Sequence, residues 1–209
     1  MIETDVIVLK TTPYQDSSLI LQGLSPDLGR ISIYAKGARK ISKKSFPSIG
    51  LFRVLTTSII QPKTGDLYKL KNCEAIEIND TIAGYPDLVD FSSAIGQLSL
   101  SSNFNGIPCP LYFHAFKECI NQLKHRPLPF SAWLCRLITC HLMEQGLFPE
   151  MTLSPNQKKI IEALLDKDFK ASASLNLSNE QWSSMQSWIL KIAEFSEIQL
   201  PINNFFSAC

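Results

Sequence analysis

The sequence has no Cys-x-x-Cys pair, no glycine-rich phosphate loop and no internal repeat, and each absence removes a class of protein. Its six cysteines, Cys73, Cys109, Cys119, Cys135, Cys140 and Cys209, lack the close paired spacing of structural zinc ligands. In a reducing compartment they read as small buried hydrophobes, and no metal is expected. Neither G-x-x-x-x-G-K nor G-x-G-x-x-G occurs, so no nucleotide cofactor is expected. No apolar run approaches the length that spans a bilayer. The first ten residues, MIETDVIVLK, hold two acids and lack the basic start of a secretory signal. A cytoplasmic location without membrane contact is the expectation. The three histidines, His114, His125 and His141, give no catalytic set. His141 follows Cys140 on an apolar helix face, but neighbours on a helix point about 100° apart and cannot easily pair. His141 therefore reads as a buried structural side chain, and an enzyme is not expected.

What is present is unevenly placed charge. The 209 residues hold 20 basic and 19 acidic groups. Arg30 to Lys71 alone holds ten basic residues and a single acid, Asp66. The densest part, AKGARKISKK at residues 35–44, has five cations and no acid. Such asymmetry suits a face that binds a polyanion. The alternative is a solvated loop kept soluble by charge.

The first 80 residues read as five short strands. Val6–Leu9 and Ser18–Leu21 are apolar runs, with a Pro-Asp-Gly turn after the second. In RISIYAK, Ile31, Ile33 and Ala35 alternate with Arg30, Ser32, Tyr34 and Lys36, a period of two that sends the second set outward. Residues 51–61 and 67–78 supply two more strands, the last pointing Lys69 and Lys71 to one face. Five strands with tight turns suggest a small closed barrel, and an OB-fold is the nucleic-acid-binding barrel of this size. After Asp80 the period changes to that of helices. Ser154-Pro155-Asn156-Gln157 and Ser178-Asn179-Glu180-Gln181 are capping boxes that open two of them. The expectation is an α+β chain, with an OB-fold β-barrel over residues 1–80 and an all-helical domain over 81–209. Tyr34, an aromatic between Arg30 and Lys36, could stack on a base while the cations meet phosphates. The alternative for Tyr34 is packing at the barrel surface. Lys43 and Lys44 on the loop, with Lys69 and Lys71 by strand parity, join this candidate polyanion-binding set.

The run VIVLKTTPYQDSSLILQGLSPDLGRISIYAKGARK resembles the start of the bacterial DNA-repair mediator family RecO. LYKLKNCEAIE is similar to that family's fifth strand. LCRLITCHLMEQGLFPEM and LKIAEFSEIQLPINNFF resemble parts of its helical domain. The resemblance implies an OB barrel followed by helices. It also implies binding of single- and double-stranded DNA, annealing of complementary strands, and cooperation with RecR so that RecA replaces single-strand DNA-binding protein, as in the RecFOR pathway. It places such a protein in the cytoplasm at the nucleoid. Arg30, Lys36, Arg39 and Lys40 match the family's basic motif. Many members carry a four-cysteine zinc module after a Leu-Gly-Tyr-like motif. Here Gln145-Gly146-Leu147-Phe148 replaces the motif, and Phe148-Pro149-Glu150-Met151 runs straight on to Ser154. Members also bind the acidic, apolar tail of single-strand DNA-binding protein through the helical domain. That chemistry needs a cation beside an apolar slot, and Lys124, Arg126 and Arg136 are the candidates. Two further readings remain open: a scaffold of the repair complex with weak or no DNA binding, and an RNA-binding OB module.

Overall fold

The computed structural model describes residues 1–39, 49–148 and 153–196. Five strands, β1 (Ile2–Tyr14), β2 (Ser18–Ser25), β3 (Gly29–Ala35), β4 (Val54–Ile60) and β5 (Leu67–Glu77), close into a barrel in the order β1-β2-β3-β5-β4. All pairs are antiparallel except β3 with β5. This is the five-stranded OB-type barrel the sequence pattern predicts. β1 closes it by serving two partners: Ile2–Ile7 pair with β4, and Ile7–Tyr14 with β2. The register shifts between Val8 and Lys10, a bulge at Leu9 that bends the strand from one sheet edge to the other. Val6, Ile7, Val8 and Leu9 are all buried, against the usual alternation, on a strand that α1 also packs against.

The barrel interior is filled by Val6, Leu21, Ile31, Ile33, Ala35, Ile59, Tyr68 and Leu70. These are the inward members of period-two strands rich in Ile, Leu and Val, the residues that favour a pleated, half-buried surface. At Gly23 the strands approach so closely that a Cβ would lie 2.6 Å from the Ile7 carbonyl oxygen. A Thr4–Ser25–Asp27 hydrogen-bond cluster, with 2.8 and 2.7 Å links, ties the start of β1 to the turn after β2.

The strand-to-helix change falls at Asp80, where a 3-10 turn (Asp80–Gly84) leads into α1 (Pro86–Ser102). The compact unit containing the barrel nevertheless extends from Met1 to Pro110. Two contacts account for this extension beyond residue 80. α1 packs on β1 and β2. The segment after it bridges back to the barrel through Gly29 and Asn105.

The second unit, Leu111–Cys209, is helical in its described part. Its elements are α2 (Pro110–Gln122), α3 (Phe130–Glu144), α4 (Pro155–Leu165), the short α5 (Lys170–Ala173) and α6 (Asn179–Phe195). α3 is buried without a break from Ala132 to Leu142 and packs against α4 and α6. A helix apolar all round belongs at a centre. Both capping boxes form as the spacing predicts: the Ser154 and Ser178 hydroxyls accept from the Gln157 and Gln181 backbone N–H groups. Among the described residues, no helix is long and apolar enough to cross a membrane.

Candidate nucleic-acid interface

On β3 the alternation holds: Ile31, Ile33 and Ala35 are buried, whereas Arg30 is exposed and Ser32 and Tyr34 are half-buried on the outer side. Strand register arranges these outer residues in rows across the barrel. One row runs Thr12, Ile20, Tyr34, Lys69 and Ile60; the next runs Lys10, Gln22, Ser32 and Leu67. Tyr34 and Lys69, 35 positions apart in the chain, thus become direct neighbours through the parallel β3–β5 pair. Lys71 occupies a second bulge, between the Ser58–Asn72 and Ile59–Leu70 pairs, and is exposed. Beyond it the inward positions of β5 switch from Tyr68 and Leu70 to Cys73 and Ala75. A bulge of one residue reverses the faces in this way.

Tyr34 is not a free ring. Its hydroxyl lies 3.2 Å from the Ser18 hydroxyl, and its ring meets Tyr14 edge to face at 5.8 Å. Tyr14 is 43% exposed and offers the more accessible aromatic surface. The sequence reading omitted Tyr14 and Lys10 because both precede the basic run. The period-two alternation of Lys10, Thr12 and Tyr14, which puts them on one face, is the signal that would have found them.

The turn after β3 is pinned to the start of β2: Arg39 N–H donates to the Ser17 carbonyl at 2.8 Å, and Gly37 N–H to the Ser18 hydroxyl at 3.4 Å. Lys36 and Arg39 are exposed on it. Lys40, Lys43 and Lys44 lie outside the described residues. Two arginines of the basic segment have structural duties. Arg30 Nη1 donates to the Leu100 carbonyl at 2.7 Å, satisfying a free acceptor in the last turn of α1. Arg53 makes a two-pronged pair with Asp80 at 2.8 and 2.5 Å. The hydrogen bond from Arg53 holds the Asp80 carboxyl below its ordinary range, and Asp80 raises the guanidinium in return.

In the helical unit the three predicted partner-binding cations part company. Lys124 is exposed on the turn after α2. Arg126 follows in the left-handed conformation, at φ 50°. It borders a groove of about 440 Å³ lined by Pro127, Leu128, Pro129, Phe130 and Asn179. Arg136 corrects its expectation as a surface cation: it is 2% exposed. It donates to the Leu164 and Asp166 carbonyls at 2.8 and 2.6 Å and pairs with Glu118 at 2.8 Å. An arginine so committed holds the end of α4 and is not available to a partner.

Cys119, Cys135 and Cys140 are buried, and burial raises each thiol, Cys140 to about 12. Thiols held protonated are poor nucleophiles and poor metal ligands. His141 is buried edge-on to Tyr112 at 5.5 Å, with its imidazole lowered to about 4 by burial, as a structural histidine would be.

A closed five-stranded barrel with cations and tyrosines on one outer face defines an OB-type domain, carried here with a helical unit. Comparison with known proteins agrees with the resemblance of the sequence. Residues 1–79 match the family described as Recombination protein O N terminal. The chain is 27% identical over 128 residues to DNA repair protein RecO of Vibrio atlanticus (strain LGP32), a match covering 60% of this chain and 50% of the relative. It is 42% identical over 64 residues to DNA repair protein RecO of Rhodopirellula baltica, covering 31% and 23%. With DNA repair protein RecO of Vibrio parahaemolyticus serotype O3:K6 the figures are 29% over 119 residues, 56% and 46%. The chain spans about half the length of the Vibrio relatives it matches.

Proposed function

We propose that this protein is a DNA-repair mediator that binds DNA and anneals complementary strands without making or breaking bonds. The observation that carries the proposal is the outer barrel face that holds Tyr14, Tyr34 and the neighbouring Lys69, with Lys10 in the next row, Lys71 further along β5, and Lys36 and Arg39 on the adjoining turn. Cations beside aromatic rings suit a single strand, whose phosphates meet charge and whose bases can stack. Annealing requires phosphate repulsion to be screened while base edges stay open, and mobile lysines do this without reading sequence. In this reading the protein works with RecR on DNA coated by single-strand DNA-binding protein and helps RecA load. Arg126 beside its proline- and phenylalanine-lined groove suits the acidic, apolar tail of that binding protein, with Lys124 adding charge.

The test is an annealing assay on complementary strands coated with single-strand DNA-binding protein, with and without this chain. Faster annealing supports the proposal, and no acceleration refutes it. Equilibrium binding to a single strand checks the charge mechanism. With about five phosphates neutralised, the log–log salt slope is about −3.5, and Lys40→Ala, Lys43→Ala and Lys44→Ala together flatten it. A slope near zero removes DNA binding and leaves the scaffold reading, which a pull-down with RecR then examines.

A further inference from the structure

Beside the cationic face the barrel carries a small polar cavity of about 210 Å³, lined by Gln22, Arg30, Ser32, Asp66 and Asn105. Its floor is the second outer row: Gln22 and Ser32 are register partners on β2 and β3. Ser32 also pairs with Leu67, so Asp66 stands at the mouth of β5 next to them. Asn105 comes from the segment after α1 and is held there by its bridge to Gly29. Its Oδ1 is buried with no hydrogen-bond partner among the described residues. Arg30 reaches over the same place to Leu100. The only acid in the basic segment is thus placed in a pocket otherwise made of amides, a hydroxyl and a guanidinium.

This composition does not suit a phosphate, which Asp66 would repel. It does suit the hydrogen-bonding edge of a nucleobase. Among the four DNA bases, guanine alone presents two adjacent donors, N1–H and N2–H, that one carboxylate can accept together. Next to them lies O6, an acceptor that a guanidinium or a side-chain amide can meet. The Tyr34 row is two residues further along the same strands, about 7 Å away. That offset is comparable with the stretch of one nucleotide in an extended single strand. A base lying against the tyrosines would leave its neighbour level with the cavity.

We propose that this cavity is a guanine subsite, in which Asp66 accepts from N1–H and N2–H of an unstacked guanine while Arg30 and Gln22 supply donors toward O6 and Asn105 walls the far side. The inference rests on the single-strand-binding reading above and gives that interface a base preference that charge alone does not provide.

The experiment compares the wild-type chain on an oligo-dT strand and on the same strand carrying one central dG, dI or dA, followed by fluorescence anisotropy at fixed salt. A bidentate base contact corresponds to about a tenfold gain. The dG strand should bind about tenfold more tightly than oligo-dT. Hypoxanthine keeps N1–H and O6 but lacks the N2 amino group, so dI should fall between, and dA should match dT. Asp66→Asn, an exposed turn position, should erase the dG-to-dT ratio. Equal affinities for all four strands would overturn the subsite while leaving the DNA reading intact. Binding to none of them would overturn the DNA reading. In that event titration with dGMP decides the subsite: amide shifts at Gln22, Ser32 and Asn105 that dTMP does not produce support it, and their absence overturns it.

Discussion

Gly29 shows how one residue fixes the junction of barrel and helix. Its φ is +66°, and an added Cβ would lie 2.3 Å from the carbonyl oxygens of both Phe104 and Ile107. Backbone atoms cannot move aside cheaply, so Gly29→Ala combines left-handed strain with a clash. Gly37 has nearly the same φ, +69°, but open space around its Cα. The pair separates the two costs. Gly37→Ala should lose about 1 kcal/mol, the price of a left-handed alanine, while Gly29→Ala should lose at least about 3 kcal/mol. Denaturant midpoints of the two variants check this, and equal losses would show that the carbonyl contacts do not matter. His141 gives a residue-scale prediction with a sign. Burial lowers its folded pKa from 6.5 to about 4. Above pH 6.5 both states carry a neutral ring and the group costs nothing. As pH falls from 6.5 to 4, the unfolded chain takes a proton that the folded one refuses. Stability therefore drops across that window, by roughly 3 kcal/mol in all, and levels off below it. His141→Phe keeps an aromatic ring and removes the titration. Its melting temperature should fall less steeply between pH 6.5 and 4 than that of the wild type, and parallel curves would contradict the assignment.

At the scale of elements, the pattern of apolar residues was enough to place all five strands, the central helix and both capping boxes. These features rest on local chemistry: period two, period 3.6, and a serine three residues before a glutamine. The bulges, at Leu9, Lys71 and Ile76, were not legible, because a bulge is set by how a strand must bend to close the barrel and leaves no composition signal. Arg136 was misread for a related reason. A basic residue in a helix of mostly apolar neighbours looks like a surface cation until its partners, which come from Glu118, Leu164 and Asp166, are brought to it by packing. Its removal leaves the Glu118 carboxylate and two carbonyls without their donor. Arg136→Ala should therefore cost roughly 3 kcal/mol, whereas Lys124→Ala, exposed on its turn, should stay within about 0.5 kcal/mol of wild type. Urea unfolding of the two variants distinguishes them, and a mild Arg136→Ala would mean the clamp adds little.

At the scale of the whole molecule, near-neutral net charge conceals a barrel with two electrostatic sides. The second half of β1, β3 and the start of β5 carry Lys10, Arg30, Lys69 and Lys71 outward. The first half of β1 and the far half of β5 carry Glu3, Asp5 and Glu74, joined across β4 through Ser58 and Thr56. The sequence showed the basic run but not this division, since register alone sets Lys10 near residues of β3 and Glu3 near residues of β5. The division makes a directional prediction for DNA. Each phosphate neutralised by a barrel lysine contributes about 0.7 to the single-strand salt slope. Lys10→Gln with Lys69→Gln should flatten the slope by about 1.4 and weaken binding most at low salt. Glu3→Gln with Asp5→Asn, on the opposite side, should leave the slope unchanged and shift affinity only slightly, through the long-range field that salt screens. Lys191→Gln, at an exposed position of α6, is the control for a lysine outside the barrel. If the Lys10 and Lys69 pair behaves like Lys191, the strand does not follow the barrel rows and the face identified here is not where DNA binds.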